Sequence, residues 1–228
     1  MMLISIASHS ETSACATGMG MLAGSNQYTK DGKKFTNSSE PNVSLQQTQD
    51  AQIIEGTDDN FAVTGVFSFF GSNDTINGVS VSRDGGATFT FSQVNADQNA
   101  APARYGSFPS PKVAFVAAGD WPSMKARQGV RELTQNVHIH ESRDGTSRLH
   151  LNKARRSAAI ATDADEPNSG YVGVIYRSTD GMQTWQSVYT NTSFYFNQIS
   201  CASELVCYVA AENDEWGFAL RTLDGGQT

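Results

Sequence analysis

Three stretches of this chain share one short grammar, and a recurring grammar of this length admits only folds assembled from repeated units. Ser82-Arg83-Asp84-Gly85-Gly86-Ala87-Thr88-Phe89 is matched by Ser178-Thr179-Asp180-Gly181-Met182-Gln183-Thr184-Trp185. It returns as Thr222-Leu223-Asp224-Gly225-Gly226-Gln227-Thr228, where the chain stops before the aromatic. The residue types describe a tight turn between antiparallel strands. Asp-Gly supplies the turn, Gly takes positive φ, and the short carboxylate accepts bonds from turn amides. The hydroxyl residue ties the two ends of the turn together, and the aromatic folds back into the sheet stack.

The spacing around the turns extends the repeat. A glycine lies seven residues before the aspartate in three units, Gly24 with Asp31, Gly173 with Asp180 and Gly217 with Asp224, and Gly78 lies six before Asp84. Thr29, Asp31, Gly32 and Phe35 form a degenerate turn one residue short, and Ser142-Arg143-Asp144-Gly145 copies the first half with Leu149 in place of the aromatic. Successive aspartates are 53, 60, 36 and 44 residues apart, around the ~40 to 50 residues of a four-stranded propeller blade. Between the turns, Phe61 to Phe70 and Lys112 to Gly119 are β-prone runs. The fourth and fifth units, from Ser157 and from Phe194, each read as an apolar strand, an acidic loop, a Gly-led strand and the turn. Residues 120–157 are irregular, with a short helix or a long loop begun by Pro122.

The turns resemble the Asp-box, or BNR repeat, of β-propellers. The expected fold is therefore all-β: one array over residues 1–228 of four-stranded antiparallel blades, an incomplete fragment of about five blades with an open edge. FYFNQISCASELVCYVAA followed by ALRTLDGGQT most resembles the photosystem II assembly and stability factor type, and the sialidase-like superfamily is a more distant likeness. The resemblance places the boxes between third and fourth strands, away from the ligand face, so Asp84, Asp180 and Asp224 are structural. The loops on the other face then carry Asp74, Asp163, Asp165, Glu166, Glu212, Asp214 and Glu215. Paired carboxylates suit glycoside hydrolysis or Ca²⁺, yet no specific pair stands out. Sialidases share an early Arg-Ile-Pro motif that is absent here.

Charge is distributed unevenly. Charged residues are 17% and the formal charge is −7, which argues against nucleic-acid binding over the whole surface. Lys125, Arg127, Arg131, Arg143, Arg148, Lys153, Arg155 and Arg156 nevertheless give residues 125–156 a net +5. This segment reads either as a basic loop balancing an acidic surface or as a docking surface, with Lys125, Arg127, Arg131, Arg155 and Arg156 as the partner-binding candidates. His138, His140 and His150 alternate on a hairpin, without the carboxylate or Cys pattern of a metal site. No phosphate loop, nucleophile elbow or Cys-x-x-Cys motif is present, and no cofactor is expected.

Cys201 and Cys207 flank a strand-to-strand turn, so they form either a small disulfide or a pair of small buried apolar side chains. The disulfide would place the protein outside the cytosol, secreted or, by the resemblance, in the thylakoid lumen. Cys15 is then unpaired, or its partner lies outside this sequence. Sequons at Asn37, Asn42, Asn73 and Asn191 matter only in a eukaryotic secretory pathway. No run approaches the ~18 apolar residues of a membrane span. Family members are non-enzymatic and bind assembling membrane-protein subunits, so the expected function is a non-catalytic protein-binding scaffold, its partner an acidic protein or a membrane-protein subunit. The alternative is a carbohydrate-active propeller, as glycosidase or glycan binder.

Overall fold

The computed structural model describes residues 2–19, 26–41, 47–68, 75–95, 101–121 and 170–228. All regular elements among them are β-strands. They form a four-part repeat: β1 (Met2–Ser8), β2 (Ala14–Met19), β3 (Gln27–Thr29) and β4 (Thr36–Asn37); then β5 (Gln47–Ile53), β6 (Phe61–Ser68), β7 (Thr75–Ser82) and β8 (Thr90–Asn95). The third unit is β9 (Ala103–Ser107), β10 (Ala114–Asp120), β11 (Val172–Ser178) and β12 (Gln186–Asn191), and the fourth is β13 (Tyr195–Cys201), β14 (Cys207–Glu212) and β15 (Gly217–Thr222). Each unit is an antiparallel meander, and a single pairing, Met19 with Gln47, joins the first two into one sheet. The first strands β1, β5, β9 and β13 lie side by side in that order. Four-stranded meanders sharing an inner row of first strands make an incomplete β-propeller.

Four units are present among the described residues. The further unit expected from the 142–145 turn, with its possible helix after Pro122, lies outside them. One pairing differs from the sequence reading, which gave β11 its neighbour from the stretch after Ser157. Instead β11 pairs along its whole length with β10, from Ala114–Ser178 to Asp120–Val172. The physical reason is burial: six consecutive residues of β10 are buried, filling cores on both faces. Residues 122–169 therefore connect the second and third strands of one unit rather than separating two.

The units are held together face to face. Phe61, Val63, Cys15, Ala51 and Phe89 fill the space between units one and two. A larger core around Val79, Val81, Phe108, Val116 and Val174 lies between two and three, and Phe115, Ile175, Phe196, Ile199 and Val209 pack between three and four. The turn aromatics contribute as expected from a fold-back: Phe89 is buried, and Trp185 packs toward unit two and donates from Nε1 to Ser92 Oγ at 3.0 Å.

Two backbone features recur. In every first strand one residue is skipped in pairing with the second strand, namely Ile4, Gln49, Arg104 and Asn197. Such a bulge bends the strand and re-aims the skipped side chain. Next to it, inner strands are clasped across units: Ala51 N donates to Ser5 Oγ at 3.1 Å and Gly106 N to Asp50 Oδ2 at 2.9 Å. Two residues further on, Cys201 N donates to Ser107 Oγ at 3.0 Å.

At the other end of each sheet the repeat turn is tied to the first hairpin of its own unit. Gly32 N donates to Thr12 O at 3.0 Å, Gly85 N to Asp59 O at 3.0 Å, Gly181 N to Lys112 O at 2.9 Å and Gly225 N to Leu205 O at 2.8 Å. All four glycines have φ between 67° and 77°, a region costly for any residue with a Cβ.

Because Phe61 is fully buried between two units, Phe61→Ala is expected to cost about 3 to 5 kcal/mol of stability. Urea unfolding of the variant checks this; a loss below about 1 kcal/mol would mean the first two units do not share a core.

Candidate functional site

The turn carboxylates are consumed locally. Asp180 Oδ1 accepts from Ser178 Oγ at 2.9 Å and from Gln183 N and Thr184 N at 3.0 Å, while Thr184 Oγ1 donates to Oδ2 at 2.5 Å. Asp224 repeats the set with Thr222, Gln227 and Thr228. Asp84 takes Ser82 Oγ at 2.8 Å, Thr88 N at 2.9 Å and the Thr88 hydroxyl. The hydroxyl residue also accepts, from Gly86 N to Ser82 Oγ at 2.8 Å, from Met182 N to Ser178 Oγ at 3.0 Å and from Gly226 N to Thr222 Oγ1 at 2.8 Å. In the degenerate turn, Asp31 accepts from Lys33 N and Lys34 N at 2.8 and 3.0 Å, one residue earlier than its counterparts.

Electrostatics follow from these bonds. The Thr184 hydroxyl and amide, with Ser178 and the Gln183 amide, hold Asp180 well below the usual carboxylate range; Thr228, Thr222 and the Gln227 amide do so for Asp224. The Lys34 and Lys33 amides lower Asp31. For Asp84, desolvation pushes upward but is outweighed by Thr88 and Ser82, leaving it lowered. A carboxylate kept ionised in this way lacks the proton of a general acid, and its oxygens are occupied by donors of its own turn.

The opposite end of the sheets, where first strands begin and second strands end, is different in character. Arg104, the skipped residue of β9, turns its guanidinium over the Tyr195 ring at 5.4 Å. Its Nε donates to Gly119 O at 3.2 Å and its Nη1 to Gln49 Oε1 at 3.4 Å. Gln49 is the skipped residue of the neighbouring inner strand, so the two bulges bring these side chains together. Nη2 makes a long 3.9 Å contact with Asp120, which leaves donor capacity toward an incoming acceptor. Trp121 lies between Tyr195, at 5.2 Å, and Tyr171, at 5.6 Å. Burial raises Tyr195 above the ordinary phenol range, with the Arg104 charge opposing; its hydroxyl is therefore a neutral partner at physiological pH. The Arg104 cation thus lies on the first ring of a row, Tyr195, Trp121 and Tyr171, with the Asp120 carboxylate beside its Nη2.

The other sequence-predicted residues fall as follows. Lys125, Arg127, Arg131, Arg155 and Arg156, the three histidines, and Asp74, Asp163, Asp165 and Glu166 lie outside the described residues. Trp121 and Tyr171 flank the segment 122–169, which therefore leaves and re-enters at the aromatic stack. Asp214 and Glu215 sit exposed on the β14–β15 turn, shaped by Asn213 Oδ1 accepting from Glu215 N and Trp216 N at 2.9 Å. Cys201 and Cys207 form a disulfide between directly paired residues of β13 and β14. Cys15 is buried and free, its thiol pushed up to about 12 by burial and then by Glu40, and so behaves as a small apolar side chain. Among the described residues no cluster of His, Cys, Asp and Glu is placed to hold a metal ion, and no helix is long and apolar enough to cross a membrane.

Sequence reasoning missed Arg104, Trp121, Tyr171 and Tyr195. No family model and no curated protein matches this chain. Among solved structures it is similar to a GH74 enzyme of Niastella koreensis, at 14% identity and a TM-score of 0.41, with 99% of this chain matched but only 36% of that one. It is also similar to YCF48 bound to a D1 peptide, at 11% identity and a TM-score of 0.38, covering 99% and 80% of the two chains. For YCF48 from Cyanidioschyzon merolae the identity is 11%, the TM-score 0.34 and the coverage 99% and 83%.

The lowered carboxylates set an acid limit. A group whose folded pKa lies below its unfolded value of about 3.9 contributes stability that is complete at neutral pH and is lost as pH falls through the folded value. Asp50, buried and raised by desolvation, acts in the opposite sense, its contribution falling as pH rises from the unfolded to the folded value. With four lowered groups against one, thermal midpoints are expected to fall below about pH 4. Asp180→Ala should lower the midpoint at pH 7 and flatten this decline; an unchanged acid limb would show the turn bonds to be energetically idle.

Proposed function

We infer that this protein is a non-catalytic binding propeller that holds a protein partner outside the cytosol. The observation carrying this reading is the Arg104–Tyr195–Trp121–Tyr171 cluster, since Trp, Tyr and Arg are the residues that dominate binding energy at protein interfaces. Arg104 is oriented before any partner arrives, which lowers the ordering cost of binding. An acidic side chain or backbone carbonyl fits its Nη2, and apolar groups fit the rings. The Cys201–Cys207 disulfide supports an oxidising compartment, because such bonds persist there and are rare in reducing cytosol.

The basic segment joins this reading by connectivity. It begins four residues after Trp121 and ends before Tyr171, so the charges at Lys125, Arg127, Arg131, Arg155 and Arg156 are tethered to the aromatic cluster. They add a long-range attraction for an acidic partner, a membrane-protein subunit among the candidates. A carbohydrate-active function is the second reading, favoured by the same rings and by exposed Trp216, since flat aromatic surfaces also stack on sugars.

Partner capture by cross-linking from the source organism, followed by binding of the recovered partner to purified variants, tests the reading. Arg104→Ala and Trp121→Ala, measured on the folded fraction because both also remove packing contacts, should each weaken binding by about tenfold or more, whereas Asp214→Ala should not. Glutamate at Arg127, Arg131, Arg155 and Arg156 together should slow association and flatten its salt dependence. Unaltered affinity in both single variants would refute the site, and a glycan-array signal abolished by Trp121→Ala would move the assignment to the carbohydrate reading.

A further inference from the structure

Adjacent inner strands are clasped by a side-chain acceptor that stands one residue after the bulge. Between units one and two that acceptor is the hydroxyl of Ser5, which takes the Ala51 N–H at 3.1 Å. Between units two and three the same position holds Asp50, whose Oδ2 takes the Gly106 N–H at 2.9 Å. A hydroxyl therefore suffices to make this clasp, whereas a carboxylate there carries a cost. Asp50 is 5% exposed, and burial penalises its charged form.

No ion pair offsets that cost. β5 packs against β1, β2, β6 and β9, whose charged or titratable residues are Cys15, Arg104 and Tyr105. The Cys15 thiol is neutral, and Arg104 turns its guanidinium to Gly119 O, Gln49 Oε1 and the Tyr195 ring. The second carboxylate oxygen, Oδ1, takes the Gln52 Nε2 at 2.9 Å. A place for a proton lies alongside. Thr64 is the cross-strand partner of Asp50, so the two side chains share a face of the sheet. Its hydroxyl is fully buried and makes no hydrogen bond, and a Cβ on Gly106 would lie 2.6 Å from it. Gly106 thus approaches both side chains closely.

Arg104 stands two residues before Gly106 on β9, and Gln49, which accepts from its Nη1, is the residue before Asp50. The two contacts are therefore neighbouring ties between the same pair of strands. We propose that Asp50 is a pH-responsive positioning residue for Arg104: its ionised carboxylate holds β9 at Gly106 and so keeps the guanidinium aimed over Tyr195, and taking up a proton loosens that hold. The inference rests on Arg104 being the binding group of the site proposed above, whose regulation it names. An ionised acceptor bonds about twice as strongly as a neutral one, so the tie to Gly106 weakens on protonation. The added hydrogen is donated to Thr64 Oγ1, which gives the protonated form a partner of its own. Because burial raises the Asp50 carboxyl, the change falls at a higher pH than an ordinary aspartate would give. The site is set on the alkaline side of that midpoint and loosens on the acid side.

Proton–nitrogen correlation spectra of the 228-residue chain across a pH series test this. The Gly106 amide and the Arg104 Nε–H should shift together, with one midpoint above about 4. Asp120, beside Nη2, is the other carboxylate able to move the Arg104 signal, so the shared step should persist in Asp120→Asn. It should vanish from both signals in Asp50→Asn and in Asp50→Ser, the second of which restores the type of acceptor used between units one and two; circular dichroism shows that each variant is folded. An Arg104 signal that stays still while Gly106 shifts, a step that survives in a folded Asp50 variant or is lost in Asp120→Asn, or a midpoint at or below about 4 would each overturn the proposal. No partner is present in this measurement. Unaltered binding in Arg104→Ala would therefore strike the site and leave the coupling intact, whereas a still Arg104 signal strikes the coupling and leaves the site.

Discussion

The bond from the first glycine of each repeat turn to the first-hairpin carbonyl of the same unit is the constraint on which the rest depends. It locks the turn between third and fourth strands to the turn between first and second, so both hairpins of a unit end at one level. An N–H buried at a turn must find an acceptor or cost about 1 to 3 kcal/mol. The geometry that aims it outward requires positive φ, hence glycine. The aspartate and hydroxyl then hold the turn in the shape that presents that N–H. With one end of every sheet committed to these ties, variation in sequence and loop length is pushed to the other end. The longest connection, between β10 and β11, and the arginine–aromatic cluster both lie there.

The turns were legible because their chemistry is local: hydroxyl, carboxylate and glycine within five residues define the bonds they make. Even the degenerate copy keeps its bonds, with Asp31 reaching amides one residue earlier to match the missing residue. Strand pairing was less legible. The stretch after Ser157 and the run Val113 to Ala118 are both apolar, and only burial on two faces selects the latter as the neighbour of β11.

The site escaped sequence reading for a related reason. Bulges at Ile4, Gln49, Arg104 and Asn197 occur at equivalent places but on four unrelated residue types, because what recurs is a backbone register and not a side-chain chemistry. Arg104 within ARYGS reads as an ordinary strand residue, and Trp121 and Tyr171 are 50 positions apart. Charge density drew attention instead to residues 125–156. A signal was present: the aromatic residues immediately after β10 and immediately before β11 mark the two ends of a long connection, and such ends meet when the strands pair.

The disulfide has a mechanical sense within this scheme. Unit four has three strands among the described residues and only one packed face, so its hairpin lacks the two-sided burial that fixes β6 and β10. A two-stranded hairpin is marginal by itself in water. Closing a loop of six to seven residues removes about 2 kcal/mol of unfolded-state entropy, placed where the packing is thinnest. Cys201 N is also the donor of the clasp to Ser107, so the cross-link holds the inner strand of unit four in the register that its neighbour reads. Tyr195 begins the same strand at its far end. The brace and the arginine–aromatic cluster are thus two ends of one element, and holding β13 against β9 is what keeps the Tyr195 ring beneath the Arg104 guanidinium.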